Sequence, residues 1–252
     1  MSELYETNMT THRPWKKVLS VILSVILAFG TLVALTVGSS RLQDWLGIKS
    51  MLSAYAAEYV DTAGAIAVDK DAMLADPHTI NLENRDGSNT VYLFSEPISF
   101  TDENGNLKTK DISVVKETDK ALKAKGYSYS NGQNDYRIHF AQQAAQGVLV
   151  QFDGGSYTVA PVGNTDSVGE KSTSVSLNEE FETFSYANAY GDSTALQFYP
   201  QLNGVKDEIT LDKFTGQTDF AFRLTTENCT AVLQKDGTVE LQNSDGKCVQ
   251  TF

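Results

Sequence analysis

Residues 194–211 read TALQFYPQLNGVKDEITL, and Leu196, Phe198 and Leu202 before Asn203-Gly204, like Val205, Ile209 and Leu211 after it, fall on alternate positions. Alternation with a period of two places successive side chains on opposite faces of a strand, and Asn-Gly tolerates the positive backbone angles of a tight reversal, so the stretch predicts an antiparallel hairpin. If Asn203-Gly204 forms a two-residue loop, counting outward sets Leu202 opposite Val205, Phe198 opposite Ile209 and Leu196 opposite Leu211, with the apolar pairs on one side. Pro200 has no amide hydrogen to donate, which predicts that its arm lies at a sheet edge or carries a bulge.

The same period runs outward in both directions. Tyr136, Ile138 and Phe140 alternate with Asp135, Arg137 and His139; Val148, Val150 and Phe152 repeat the pattern, as do Phe220, Phe222 and Leu224. Between such runs stand Asn104-Gly105, Asn131-Gly132, Asp153-Gly154, Asp236-Gly237 and Asp245-Gly246, each a turn-forming pair. Helix is scarce, with Ala141 to Gln146 reading as a short turn. The expected fold is mainly β, an antiparallel β-sandwich-like domain of hairpins over residues 86–252. Near the C-terminus, strands around 229–235, 238–244 and 247–252 would form a meander. That puts Cys229 and Cys248 two strand spacings apart, roughly 9–10 Å, which exceeds the reach of a disulfide and predicts free thiols.

Ahead of the hairpins lies a different kind of sequence. From Val18 to Val37 the chain reads VLSVILSVILAFGTLVALTV, with no charge in twenty residues. A helix of that length spans roughly 30 Å of hydrocarbon, and thirteen Val, Leu, Ile or Phe residues outweigh the cost of Ser20, Ser24, Gly30, Thr31 and Thr36. His12, Arg13, Lys16 and Lys17 flank it on the N-terminal side, which predicts a cytoplasmic tail at 1–17, a transmembrane or signal helix at 18–38, and export of everything after it. Length favours an anchor in the membrane via Val18 to Val37, whereas Val37-Gly38-Ser39 and Ala54-Tyr55-Ala56 offer small residues for signal cleavage. Either way the destination is extracytoplasmic: a cell membrane with its C-terminal domain outside, or a secreted, cell-surface product. Residues 39–85 read as a juxtamembrane helix and linker, with Leu42, Trp45, Leu46, Met51, Leu52 and Tyr55 at near-helical spacing and no period from Asp61 to Arg85.

The charge balance narrows function. Over 252 residues, 20 Lys+Arg face 32 Asp+Glu for a formal charge of −12. Residues 41–252 keep 17 cations against 30 carboxylates. Nucleic-acid binding needs clustered cations, so that class is excluded as the main business.

Motifs for chemistry are sparse. Gly191-Asp192-Ser193-Thr194 matches the nucleophile block of GDSL esterases, but all three His residues, at 12, 78 and 139, precede it, and Gly-Asp-Ser is ordinary turn chemistry. Gly154-Gly155-Ser156 lacks the second glycine of a nucleophile elbow. No catalytic, cofactor-binding or metal residue is assigned: the His and Cys spacings of a zinc site are missing, and only a loose calcium site among acidic turns remains conceivable. His139 is expected to face solvent from the polar side of its strand. Glu179-Glu180 and Asp207-Glu208 point to opposite faces of their strands and read as solubilising charge. Asn228-Cys229-Thr230 fits a glycosylation sequon.

In order along the chain, Glu96-Pro97-Ile98-Ser99-Phe100-Thr101-Asp102-Glu103-Asn104-Gly105-Asn106-Leu107, Asn134 to Phe140, Tyr186-Ala187-Asn188-Ala189-Tyr190 and Gly204 to Leu211 resemble successive blocks in the N-terminal region of bacterial RHS/YD-repeat wall-associated proteins. The resemblance spans roughly 83–252 and implies a β-rich, surface-exposed, non-catalytic segment that precedes a long repeat shell, with the cell wall or the missing C-terminal repeat region as partner. Leu107 departs from the family's usual aromatic, and no Tyr-Asp repeat is present. Two other readings have definite requirements. A self-sufficient module for wall glycan or peptide needs an exposed aromatic patch drawn from Tyr92, Tyr127, Tyr129, Tyr157 and Tyr199, and a glycan hydrolase needs two carboxylates about 5–10 Å apart in a cleft.

Overall fold

The computed structural model describes residues 47–163, 166–176 and 179–252. The tail, the apolar run and the first part of the juxtamembrane segment, residues 1–46, lie outside the described residues. Among the described residues no helix is long and apolar enough to cross a membrane.

The molecule is mainly β and antiparallel throughout its named sheets. One sheet has six strands in the order β15 (Phe222–Glu227), β10 (Gly155–Pro161), β9 (Val148–Phe152), β8 (Arg137–Ala141), β7 (Tyr127–Asn131) and β6 (Val114–Lys116). The alternation read from the sequence sets its register: Ile138 stands opposite Val150 and Val150 opposite Tyr157, while Phe140 stands opposite Val148 and Val148 opposite Val159. A second sheet holds β11 (Gly169–Ser176), β12 (Glu179–Ala187), β13 (Thr194–Pro200) and β14 (Val205–Leu211) in chain order. The inward faces of both sheets contribute to one apolar core, where Ile138, Phe140, Phe184, Tyr186 and Leu196 are fully buried. Phe140 and Phe184 stack across it with ring centres 4.9 Å apart. At one margin the Val114 amide donates to Glu182 Oε2 at 2.7 Å, and Lys171 Nζ donates to the Val114 carbonyl at 2.8 Å, so edge strand β6 is tied to the second sheet.

The hairpin that opens the sequence reading forms, but two residues out of the expected register. Leu196 faces Ile209 and Pro200 faces Val205, leaving Gln201–Gly204 as a four-residue loop. The cause is tertiary. Leu202 leaves the hairpin to enter a second apolar cluster, its carbonyl accepts from buried Lys110 Nζ at 2.8 Å, and the Tyr136 hydroxyl lies 2.6 Å from the Gly204 carbonyl. A shift of two preserves which face each side chain occupies, so the core is unaffected. β13 is an inner strand rather than an edge; Pro200 is tolerated because β12 pairs only with Ala195–Phe198 and stops short of it.

Residues read as linker and connector are folded. Residues 47–51 are helical, α1 spans Ala54–Tyr59, and Ile48, Leu52, Ala56 and Val60 are buried in the second cluster. Where the sequence shows no period over 61–85, β1 (Ala65–Val68), α2 (Lys70–Ala75) and β2 (Thr79–Asn84) form, and β2 pairs with β3 (Asn89–Leu93). Asp69 caps α2 by accepting from the Ala72 amide, and Asp119 caps α3 (Lys120–Ala124) by accepting from Ala121 and Leu122. β4 (Ser99–Thr101) and β5 (Leu107–Thr109) make a hairpin around Asn104-Gly105. The C-terminal meander appears as β16 (Thr230–Leu233), β17 (Val239–Gln242) and β18 (Cys248–Thr251), and both cysteines are free.

One glycine in the core is there for space. A Cβ on Gly169 would lie 2.2 Å from Phe184 Cε1 and 2.6 Å from Tyr186 Cε1. Both rings are fully buried and have nowhere to retreat. Gly169→Ala is therefore expected to cost about 1–3 kcal/mol of unfolding free energy in urea titrations, whereas the same change at Gly204, which has open space around it, should be close to neutral.

Candidate functional site

The structure disperses most of the side chains that the sequence offers for chemistry. Ser193 occupies the turn between β12 and β13 with φ of 68°, and its amide donates to Asn188 Oδ1 at 3.1 Å. No histidine joins it: His78 Nδ1 lies 3.3 Å from the Phe94 carbonyl, His139 is engaged in the other sheet, and His12 is outside the described residues. Gly154 closes the reversal between β9 and β10 at φ of 91°, and Gly155 and Ser156 begin β10 opposite Phe152 and Gln151. The side chains of Glu179 and Glu180 lie outside the described residues. Asn228 sits exposed at a turn with φ of 58°. Among the described residues, no group of three His, Cys, Asp or Glu side chains is placed to hold a metal.

The aromatic patch is not assembled. Tyr127, Tyr157 and Tyr199 are buried, Tyr129 packs against Phe184 at 5.5 Å, and the Tyr92 hydroxyl is spent on the backbone of Asp61. Large rings on period-two positions are here core residues, which removes this patch as a glycan-stacking platform.

His139 also departs from expectation. It is on the predicted face of β8, opposite Ile138 and Phe140, yet only 3% of its surface is exposed. The chain leaving β6 folds over that face before entering α3, and it brings Glu117 down onto the ring: His139 Nδ1 is 2.5 Å from Glu117 Oε2, and Nε2 is 2.9 Å from Gln151 Oε1. The other carboxylate oxygen, Oε1, accepts from the amides of Thr118 and Asp119 at 2.8 and 2.9 Å. Burial pushes the Glu117 carboxyl upward, but the Asp119 amide, the His139 ring and the Thr118 amide outweigh it and hold the group below its ordinary value. A ring protonated on both nitrogens satisfies both facing oxygens; a neutral ring is served equally once the Gln151 amide turns its NH2 toward Nε2. The pair lies under the chain that leaves β6, with Ser130 as the cross-strand neighbour of His139, and it fastens the β6–α3 connection to the sheet.

The arrangement best suited to hold a ligand lies elsewhere, between the two sheets of the sandwich. A cleft of about 500 Å³ opens where Val148, Val150, Tyr157 and Leu224 of the six-stranded sheet face Phe198 and Val205 of the other, and Gln250, Thr251 and Phe252 form its remaining wall. That volume is within the range typical of small-molecule sites. The ring of Phe252 meets Tyr157 edge to face with centres 5.0 Å apart. Among the described residues, Asp207 is the single charged one lining the cleft. It shares the inward face of β14 with Val205 and Ile209, both packed against the core, yet it is open to solvent at the mouth. Partial burial pushes its carboxyl up, and the same carboxylate helps to push up the phenol of Tyr157, whose own burial is the larger cause. The charged residues on either side of it are already matched: Lys206 pairs with Glu208 on the outward face, its ammonium 5.6 Å from the Tyr199 ring centre.

From the sequence alone Asp207 reads as solubilising charge. The signal that it faces inward was in the alternation itself, since Val205, Asp207 and Ile209 share a face whichever register the hairpin adopts. No family model matches the chain, and no curated protein or solved structure matches it.

Proposed function

We propose that the chain is an exported surface protein, tethered in a membrane or secreted, whose acidic β-rich body has a structural or binding role rather than a catalytic one. The uncharged run from Val18 to Val37 with its cationic N-terminal flank carries this reading, because twenty consecutive uncharged residues rich in Leu, Val and Ile match the span and composition that hydrocarbon selects. The ordered likeness of residues 83–252 to the segment that precedes the repeats of RHS/YD wall-associated proteins supports the same location and a non-catalytic role. The binding role leans on the cleft between the sheets, which has an apolar body and a charged mouth but no paired acid and base.

Cell fractionation with a C-terminal tag tests it. The tagged chain is expected in the membrane fraction, resistant to carbonate washing, or in the medium with its N-terminus beginning after the apolar run. A full-length chain that is soluble in the cytosol contradicts it.

A further inference from the structure

From the cleft between the sheets we infer a binding site for a small amphipathic amine, with its apolar body between Val150, Leu224 and Phe198 and its ammonium on the Asp207 carboxylate at the mouth.

Two observations carry this, and they are independent. The first is shape and composition: a cleft of about 500 Å³ walled by valine, leucine, phenylalanine and tyrosine favours an apolar body of modest size. The second is charge. Among the described residues Asp207 makes no ion pair, because the nearest cation along the chain, Lys206, is turned to the other face and bound by Glu208. A carboxylate partly withdrawn from water beside apolar walls is stabilised by a cation brought to it, and a charge-assisted N–H···O bond is among the stronger polar contacts available. An anion would meet like charge, and a neutral apolar molecule would bury its body but leave the carboxylate unpaired. Asp207 also has a competing structural explanation, since β14 is the edge strand of its sheet and inward charges discourage edge-to-edge association. The two explanations make different predictions for the same substitution.

The test is calorimetric titration of the full chain with three probes that share one body: 4-butylbenzylamine, 4-butylbenzyl alcohol and 4-butylbenzoate. The wild type is expected to bind the amine about tenfold more tightly than the alcohol, and the benzoate most weakly. Asp207→Asn should bring the amine to within about twofold of the alcohol while leaving the alcohol unchanged. Val205→Phe, which fills the cleft from the edge strand, should weaken amine and alcohol alike. Equal binding of amine and alcohol by the wild type, no binding of either, or an amine preference that survives Asp207→Asn overturns the proposal. Self-association of Asp207→Asn with its amine preference intact would assign the residue to edge protection instead. Since binding is read on the purified chain, failure here is separable from failure of the exported location, which fractionation alone decides.

Discussion

Replacing Glu117 with alanine is expected to lower the unfolding free energy by about 3–5 kcal/mol, the combined cost of leaving the buried His139 ring and two backbone amides without their acceptor. The side chains of Glu117 and His139 are only 2% and 4% exposed, so solvent screens neither. The substitution strips the ring of one contact and simultaneously orphans the amides of Thr118 and Asp119, which lead into α3. Glu117→Gln keeps an acceptor for those amides but loses the charge and turns an NH2 donor toward His139 Nδ1, which a ring carrying its proton on Nε2 can accept, so its cost should be smaller, about 1–3 kcal/mol. Urea titrations followed by far-ultraviolet circular dichroism check both values, and a loss below about 1 kcal/mol for the alanine variant would mean that the pair is not holding the β6–α3 connection.

The pH dependence has a definite sign. The folded Glu117 carboxyl lies below the ordinary 4.5, so its stabilising contribution is complete above that value and is lost as pH falls through the lower folded one. Wild-type stability should therefore decline on the acid side of about 4.5, and Glu117→Gln should flatten that part of the decline while leaving the neutral-pH region parallel to wild type. An unchanged acid slope in the glutamine variant would show that other carboxylates dominate it.

Phe184→Ala is expected to have an effect of comparable size, about 3–5 kcal/mol, through loss of burial and the cavity left behind. Phe184 is fully buried at the centre of the sandwich, stacked on Phe140 at 4.9 Å and edge-on to Tyr186 at 5.3 Å. Phe184→Leu, closer in volume, should recover more than half of the loss. Both sheets reach this ring, so the alanine variant should also lose cooperativity between them, visible as a shallower urea transition. A cost below about 1.5 kcal/mol would imply that the sheets do not share one core.

How much of this was legible beforehand varies with the physics behind each element. Strands with one face in the core announce themselves by alternation, and β8, β9, β13, β14 and β15 follow the pattern read from Tyr136, Val148, Leu196 and Phe222 onward. The register of β13 against β14 was not legible, because Leu202 obeys a distant cluster rather than its own hairpin. The segment 61–85 hides its structure in elements of four to six residues, too short to display a period, with only the capping Asp69 to mark its helix; further along, Asp119 and the left-handed Gly126 bracket α3 in the same way. Alternation placed His139 on the correct face without revealing that the chain folds back across it, since Glu117 lies 22 positions away in sequence. The candidate binding cleft has no sequence signature beyond the alternation that sets Asp207 on the face of Val205 and Ile209. It arises from the way edge strand β14 and the C-terminal meander leave the space beside Tyr157 incompletely filled, and its one chemical marker, Asp207, looks like any other surface carboxylate until its face is known.

Cys248 offers the most direct measurement of where the β-rich body resides. It is a free and exposed thiol on β18, and Cys229→Ser leaves it as the single thiol in the chain. Intact cells treated with a reductant and a maleimide that cannot cross the cytoplasmic membrane should label Cys248 to the same extent as lysed cells. Labelling that appears only after lysis would place the body in the cytosol and contradict the account.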